Sequence, residues 1–98
     1  MAFTFIAIHH PKPEHRDDVL RSMQRVGDVL SGSPGLLQIG PWTEENGNRV
    51  IGISVWESRD AFERALQTVG RFSAAGSQDR SREEREEQPA EEIFAESA

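Results

Sequence analysis

RVIGISVWESRDAFERAL, Arg49 to Leu66, carries a β-strand straight into an amphipathic helix. Side chains alternate across a strand. Ile51, Ile53 and Val55 therefore form one row, and Val50, Gly52, Ser54 and Trp56 form the other. Neither row holds a charge, the mark of a strand buried on both faces. Ser58 is placed to cap the helix that follows, with Asp60 in its first turn. Ala61, Phe62, Ala65, Leu66 and Val69 recur on one face of that helix, which Gly70 is expected to end or bend, with a further turn from Phe72 to Ala75.

Upstream, FTFIAIH (Phe3 to His9) repeats the pattern. Phe3, Phe5, Ala7 and His9 share one side, and Thr4, Ile6, Ile8 and His10 the other. Pro11 ends this strand and Pro13 suits the first position of a helix. Val19, Leu20, Met23, Val26, Val29 and Leu30 then mark an apolar stripe from about Glu14 to Ser31. LLQIGPWT (Leu36 to Thr43) reads as an edge strand, because Pro41 cannot donate to a ladder. Asn46-Gly47 signals a tight hairpin with positive φ, which pairs Trp42 with Ile51. A bulge near Gly40-Pro41 would instead turn Trp42 to the other face. SQDRSREEREEQ (Ser77 to Gln88) is polar, a solvated helix or a loose segment, and a short last strand is expected around Glu92 to Glu96.

The order is β-α-β-β-α-β, an α+β ferredoxin-like arrangement with an antiparallel sheet. Right-handed crossovers place strands one and three at its centre and both helices on one face. Residues 1–76 form the core and residues 77–98 an acidic segment of the same domain. Ile6 and Ile8 are expected to meet the helices, leaving Phe3, Phe5, Ala7 and His9 on the helix-free face. At roughly 25 cal/mol per Å², several hundred Å² of exposed apolar sheet would forfeit many kcal/mol. A second copy of the chain is the expected cover, giving a homodimer.

Composition narrows the function classes. Cysteine is absent, which removes disulfides, thiolate metal sites and thiol nucleophiles. Residues 77–98 hold eight acids against three bases, while the first 76 hold nine against eight, so the acidity sits in the tail. An acidic chain with no basic patch does not suit nucleic acid. No apolar run approaches the roughly 20 residues of a membrane span, and the opening stretch lacks signal-peptide flanks. A cytoplasmic protein is the expectation.

His9 and His10 are neighbours on a strand, so they point to opposite faces and cannot jointly hold a metal. His15 stands apart at the first helix, and no metal site is expected. His9 shares its row with Phe5 and is the candidate proton acceptor. Its bland alternative is a hydrogen-bonded histidine at a strand end. Trp42 and Trp56 are candidates to stack on a flat ligand, against the alternative that large aromatics simply fill an interior. Gly52 and Ser54 beside Trp56 leave room for a pocket on the open, helix-free face. Phe5, Trp42, Ser54 and Trp56 are thus the ligand-binding candidates, with His9 for the chemistry.

PKPEHRDDVLRSM (Pro11 to Met23), SPGLLQIGPW (Ser33 to Trp42) and VWESRDAFERAL (Val55 to Leu66) resemble the antibiotic biosynthesis monooxygenase-like family of dimeric α/β barrels. The likeness spans about residues 3–76. It implies a homodimer and a small-molecule oxygenase that acts on an aromatic or polyketide-like compound without metal or flavin. The alternative within the same fold is a non-catalytic dimeric module for binding or assembly. The family's haem-degrading branch uses Asn, Trp and His at positions that fall near Ala7, Ala65 and Gly76, which cannot supply those side chains. Its quinone-forming branch uses Asn, Trp and Tyr. Trp56 matches the Trp, but this chain has no Tyr, and Asn46 and Asn48 lie in the hairpin.

Overall fold

The computed structural model describes residues 2–74 and 84–97. Strand β1 (Phe3–Pro11) leads through a 3-10 turn (Pro13–His15) into helix α1 (Arg16–Leu30). Strands β2 (Leu36–Thr43) and β3 (Val50–Trp56) precede helix α2 (Arg59–Ala74), and β4 (Glu86–Glu96) closes the chain. The sheet order is β2-β3-β1-β4, every pairing antiparallel, with both central strands where the crossover rule places them. This is the ferredoxin-like fold.

Local devices behave as their chemistry requires. Ser58 Oγ accepts the Ala61 N–H at 3.2 Å and caps α2. That helix runs through Gly70 to Ala74, because one glycine weakens a helix without ending it; Ala75 lies outside the described residues. Gly35 has φ +85°, and a Cβ built there would stand 2.6 Å from Ala61 Cβ. Its carbonyl accepts the Glu57 N–H at 2.7 Å, which locks the start of β2 against the β3–α2 junction. A side chain at Gly35 would break both features.

The hairpin pairs Trp42 with Ile51 as expected, by a different device. Among the described residues, positive φ occurs at Gly32 and Gly35 and not at Asn46 or Gly47. Glu44 N–H donates to the Arg49 carbonyl at 3.1 Å, and Arg49 Nε donates to Glu44 Oε2 at 2.9 Å. Gly47 matters for space, since a Cβ there would overlap the Glu44 carboxyl group. The bulge in β2 falls between Leu36 and Gln38, not at Gly40-Pro41.

Two expectations are corrected. Phe3, Phe5, Ala7 and His9 face the helices, and Thr4, Ile6, Ile8 and His10 take the helix-free side. The aromatic rings decide this. Phe62 on α2 lies with its ring centroid 5.1 Å from that of Phe3 and 5.1 Å from that of Phe5, while Trp56 meets it edge-on at 5.8 Å. Only long flat side chains bridge the sheet-to-helix gap with contacts of that kind. Phe3, Leu30, Trp56, Phe62 and Ala65 form the buried centre. The second correction concerns β4, which spans eleven residues rather than a few near its end. Residues 84–88 of the polar stretch are described, and three of them belong to this strand; residues 77–83 lie outside the described residues.

The helix-free side is apolar across the central strands, with Gln38 and the His10–Glu91 pair at its margins. Paired residues across an antiparallel ladder share a face, so Ile6 stands with Ile53 and Ile93, and Ile8 with Ile51. Val55 and Trp42 extend it, with Trp42 54% exposed.

Candidate functional site

Between the sheet and the two helices lies a cavity of about 280 Å³. It lies under the helices rather than on the open face, where the helix side of the central strands steps down from large residues to small ones. Phe5 pairs with Ser54, and Ala7 with Gly52. A Cβ added to Gly52 would come within 2.7 Å of the end of the Met23 side chain, so Met23 packs directly on this glycine, and both line the cavity. Phe5, Phe62, Leu30 and Ile39 make one end of the space apolar.

The other end is polar. His9, Ser22, Arg85 and Glu86 line it. His9 Nδ1 lies 3.1 Å from Glu86 Oε1, with the two side chains 15% and 6% exposed. The same carboxylate oxygen accepts the backbone N–H of His10 at 3.3 Å. Arg85 Nη1 donates to Ser22 Oγ at 3.3 Å, tying β4 to α1 above the pair. A carboxyl group this deeply buried is rare unless it is paired, and here the His10 N–H and the His9 ring hold it.

The sequence candidates separate. Phe5, Ser54 and His9 stand on the cavity wall. Trp56 is fully buried in the aromatic centre behind that wall, and its indole N–H has no acceptor among the described residues. Trp42 lies on the opposite face of the sheet. The structure therefore does not bring the two tryptophans together. His10 also points away from the cavity, with Nε2 2.9 Å from Glu91 Oε1, and His15 pairs with Asp18 on α1. Among the described residues no group of three His, Asp or Glu gathers into a cation site.

Glu86 is the functional residue that sequence reasoning missed. It is one of eight acids in the tail and 77 residues from its partner. A signal was present in Pro89. Proline inside a strand marks an edge or a bulge, and reading it so would have carried β4 back to Glu86.

Shifted titrations fall away from the cavity. The His15 ring and then the Arg21 guanidinium hold the Asp18 carboxyl below its ordinary range by hydrogen bonding. Arg49 does the same to Glu44, and Glu44 raises Arg49 in return. These are exposed pairs that order a helix start and a hairpin.

The sequence profile described as antibiotic biosynthesis monooxygenase matches residues 1–75. Solved structures share the fold. The Mycobacterium tuberculosis protein Rv0793 superposes with a TM-score of 0.81 at 13% identity, covering 100% of this chain and 96% of its own. A monooxygenase from the gene ActVA-Orf6 of Streptomyces coelicolor, solved with nanaomycin D, gives 0.75 at 17% identity, covering 99% and 88%. SnoaB, a cofactor-independent oxygenase of Streptomyces nogalater, gives 0.68 at 22% identity, covering 99% and 93%. Among curated proteins, none matches the chain by sequence. No described helix is long and apolar enough to cross a membrane.

Proposed function

The chain belongs to the antibiotic biosynthesis monooxygenase family, and from that premise we propose that it oxidises a flat, hydroxylated aromatic or polyketide-like compound with dioxygen. The observation that carries this reading is the cavity itself, which joins aromatic walls to a histidine held by a buried carboxylate. Phe5 and Phe62 would sandwich or edge a ring system. Ser54 would set its depth, and His9 would remove a proton from it.

The chemistry needs little else from the protein. A ring methylene between two aryl rings, conjugated through them to a carbonyl, becomes electron-rich once deprotonated. Its carbon forms a bond to one oxygen of O₂. Loss of water from the resulting hydroperoxide leaves a ketone, so CH₂ and O₂ become C=O and H₂O. The substrate supplies all the electrons, and no metal or flavin takes part in this scheme. The protein supplies orientation and a site from which bulk water is excluded. His9 would act as the base, a reading supported by its place on the cavity wall beside Glu86.

The same reading makes the working unit a homodimer. Ile6, Ile8, Ile51, Ile53 and Val55 form a face that a second copy would cover, with Trp42 at its margin. Soluble monomers rarely leave such a patch open.

Oxygen uptake in the presence of dithranol, a dihydroxylated anthrone, tests the proposal after subtraction of spontaneous oxidation. The expected result is protein-dependent uptake that falls about 100-fold in His9→Ala, within the range for loss of a general base. Saturable binding of dithranol without protein-dependent uptake would favour the non-catalytic module instead.

A further inference from the structure

We propose that Glu86 is a positioning residue for His9: it fixes the imidazole with its proton on Nδ1 and presents Nε2 to the cavity as the proton acceptor. This rests on the reading of His9 as the base.

Strand register brings the two residues together. Ile8 of β1 stands opposite Glu91 of β4. Continued without interruption, that register would set Glu86 opposite Pro13, beyond the end of β1. Two register shifts, one between Ile8 and His10 and one between His10 and Pro11, set it opposite Pro11 instead. Each inserts an extra residue in β4, and together they return Glu86 to the row that holds His9. Bulges of this kind re-aim a side chain at the cost of ladder bonds. Here they draw a carboxylate two positions along the sheet and into a nearly dry place.

Hydrogen-bond chemistry gives the direction. An ionised carboxylate only accepts. At 3.1 Å from Glu86 Oε1, His9 Nδ1 must therefore carry the proton. In a neutral ring that leaves Nε2 with the lone pair. When Nε2 takes a proton from a ligand, the imidazolium forms beside a negative charge that is already in place, so little has to reorganise. The bond from the His10 backbone N–H fixes the carboxylate itself. A bulge cap alone would explain the His10 contact but not the second bond to a ring lining the cavity.

The test is nitrogen NMR of the labelled imidazoles at a pH where the rings are neutral, combined with dithranol turnover. Glu86→Gln is the variant, because it keeps size and can still accept the His10 N–H. Its amide also donates, so it serves either tautomer. Wild-type His9 is expected to show the proton on Nδ1. The variant should lose that preference, with kcat at least about 10-fold lower and KM within about 3-fold, the pattern of a group acting in the transition state. A wild-type His9 protonated on Nε2, or a ring spectrum unchanged in Glu86→Gln, overturns the proposal. The first of these needs no variant. A wild type that never turns over dithranol counts against the oxygenase reading alone, while the ring spectrum still decides the tie between Glu86 and His9.

Discussion

The two faces of this sheet are built from similar amounts of apolar side chain, yet they are built differently. The helix side steps down in size from one end to the other: Phe3 against Trp56, Phe5 against Ser54, Ala7 against Gly52. The helix-free side repeats one size, isoleucine against isoleucine. The small end leaves a hole under a helical roof, and the even side leaves a flat surface. A hole suits a small molecule, while a flat greasy surface suits another flat greasy surface. One strand pair thus builds both a hole and a flat apolar face by segregating residue size rather than polarity.

Substitutions can separate the faces. Phe62→Ala should have the largest effect, a loss of about 3–5 kcal/mol in unfolding free energy. It removes the ring that Phe3, Phe5 and Trp56 all touch. Denaturant unfolding would measure this, and self-association of the folded fraction should persist.

Ile53→Glu should leave fold and cavity in place and abolish the homodimer. A charge set in the middle of an apolar interface costs several kcal/mol, so the dissociation constant should rise about 100-fold or more, readable by sedimentation. An unchanged sedimentation coefficient would show that the helix-free face is not the interface.

Gly52→Val acts on the hole rather than the fold. The side chain it meets is the flexible end of Met23, so stability should change by less than about 1.5 kcal/mol. Dithranol affinity, followed by fluorescence quenching, should fall roughly 10-fold, about what one lost apolar contact is worth.

The smallest effect lies on neither face. Glu44 is held below its ordinary range by the Arg49 hydrogen bond. A carboxyl depressed in the folded chain contributes stability above its unfolded value and loses it as pH falls through the folded one. The difference in Tm between wild type and Glu44→Gln should therefore be present at neutral pH and vanish on acidification. Being exposed, the pair should move Tm by no more than a few degrees.

Much of this arrangement was legible in the residues. Alternation in Phe3 to His9 and Val50 to Trp56 placed both central strands, and Ser58 marked the start of α2. Which row met the helices was not legible, because both rows are apolar and period-two patterning does not rank them. Ring reach settled it, and ring reach is a property of packing. The small residues Gly52 and Ser54 pointed to a void on the open face, but the cavity they share with Phe5 and His9 lies under the helices, because their row turned inward. Trp56 did not follow, since a residue on the right row can still sit at the filled end. Glu86 needed two bulges to arrive beside His9, and bulge positions are set by competition between strands, not by one strand alone.

The central claim is that this protein receives its ligand between sheet and helices and its own copy on the other side. A dithranol titration followed residue by residue by NMR tests it most directly. Signals of Phe5, Met23, Ile39 and Phe62 should move in step with saturation, while Ile6, Ile8 and Ile51 stay still. Movement confined to the isoleucines, with the Phe62 ring unaffected, would put the ligand on the wrong face and contradict the account.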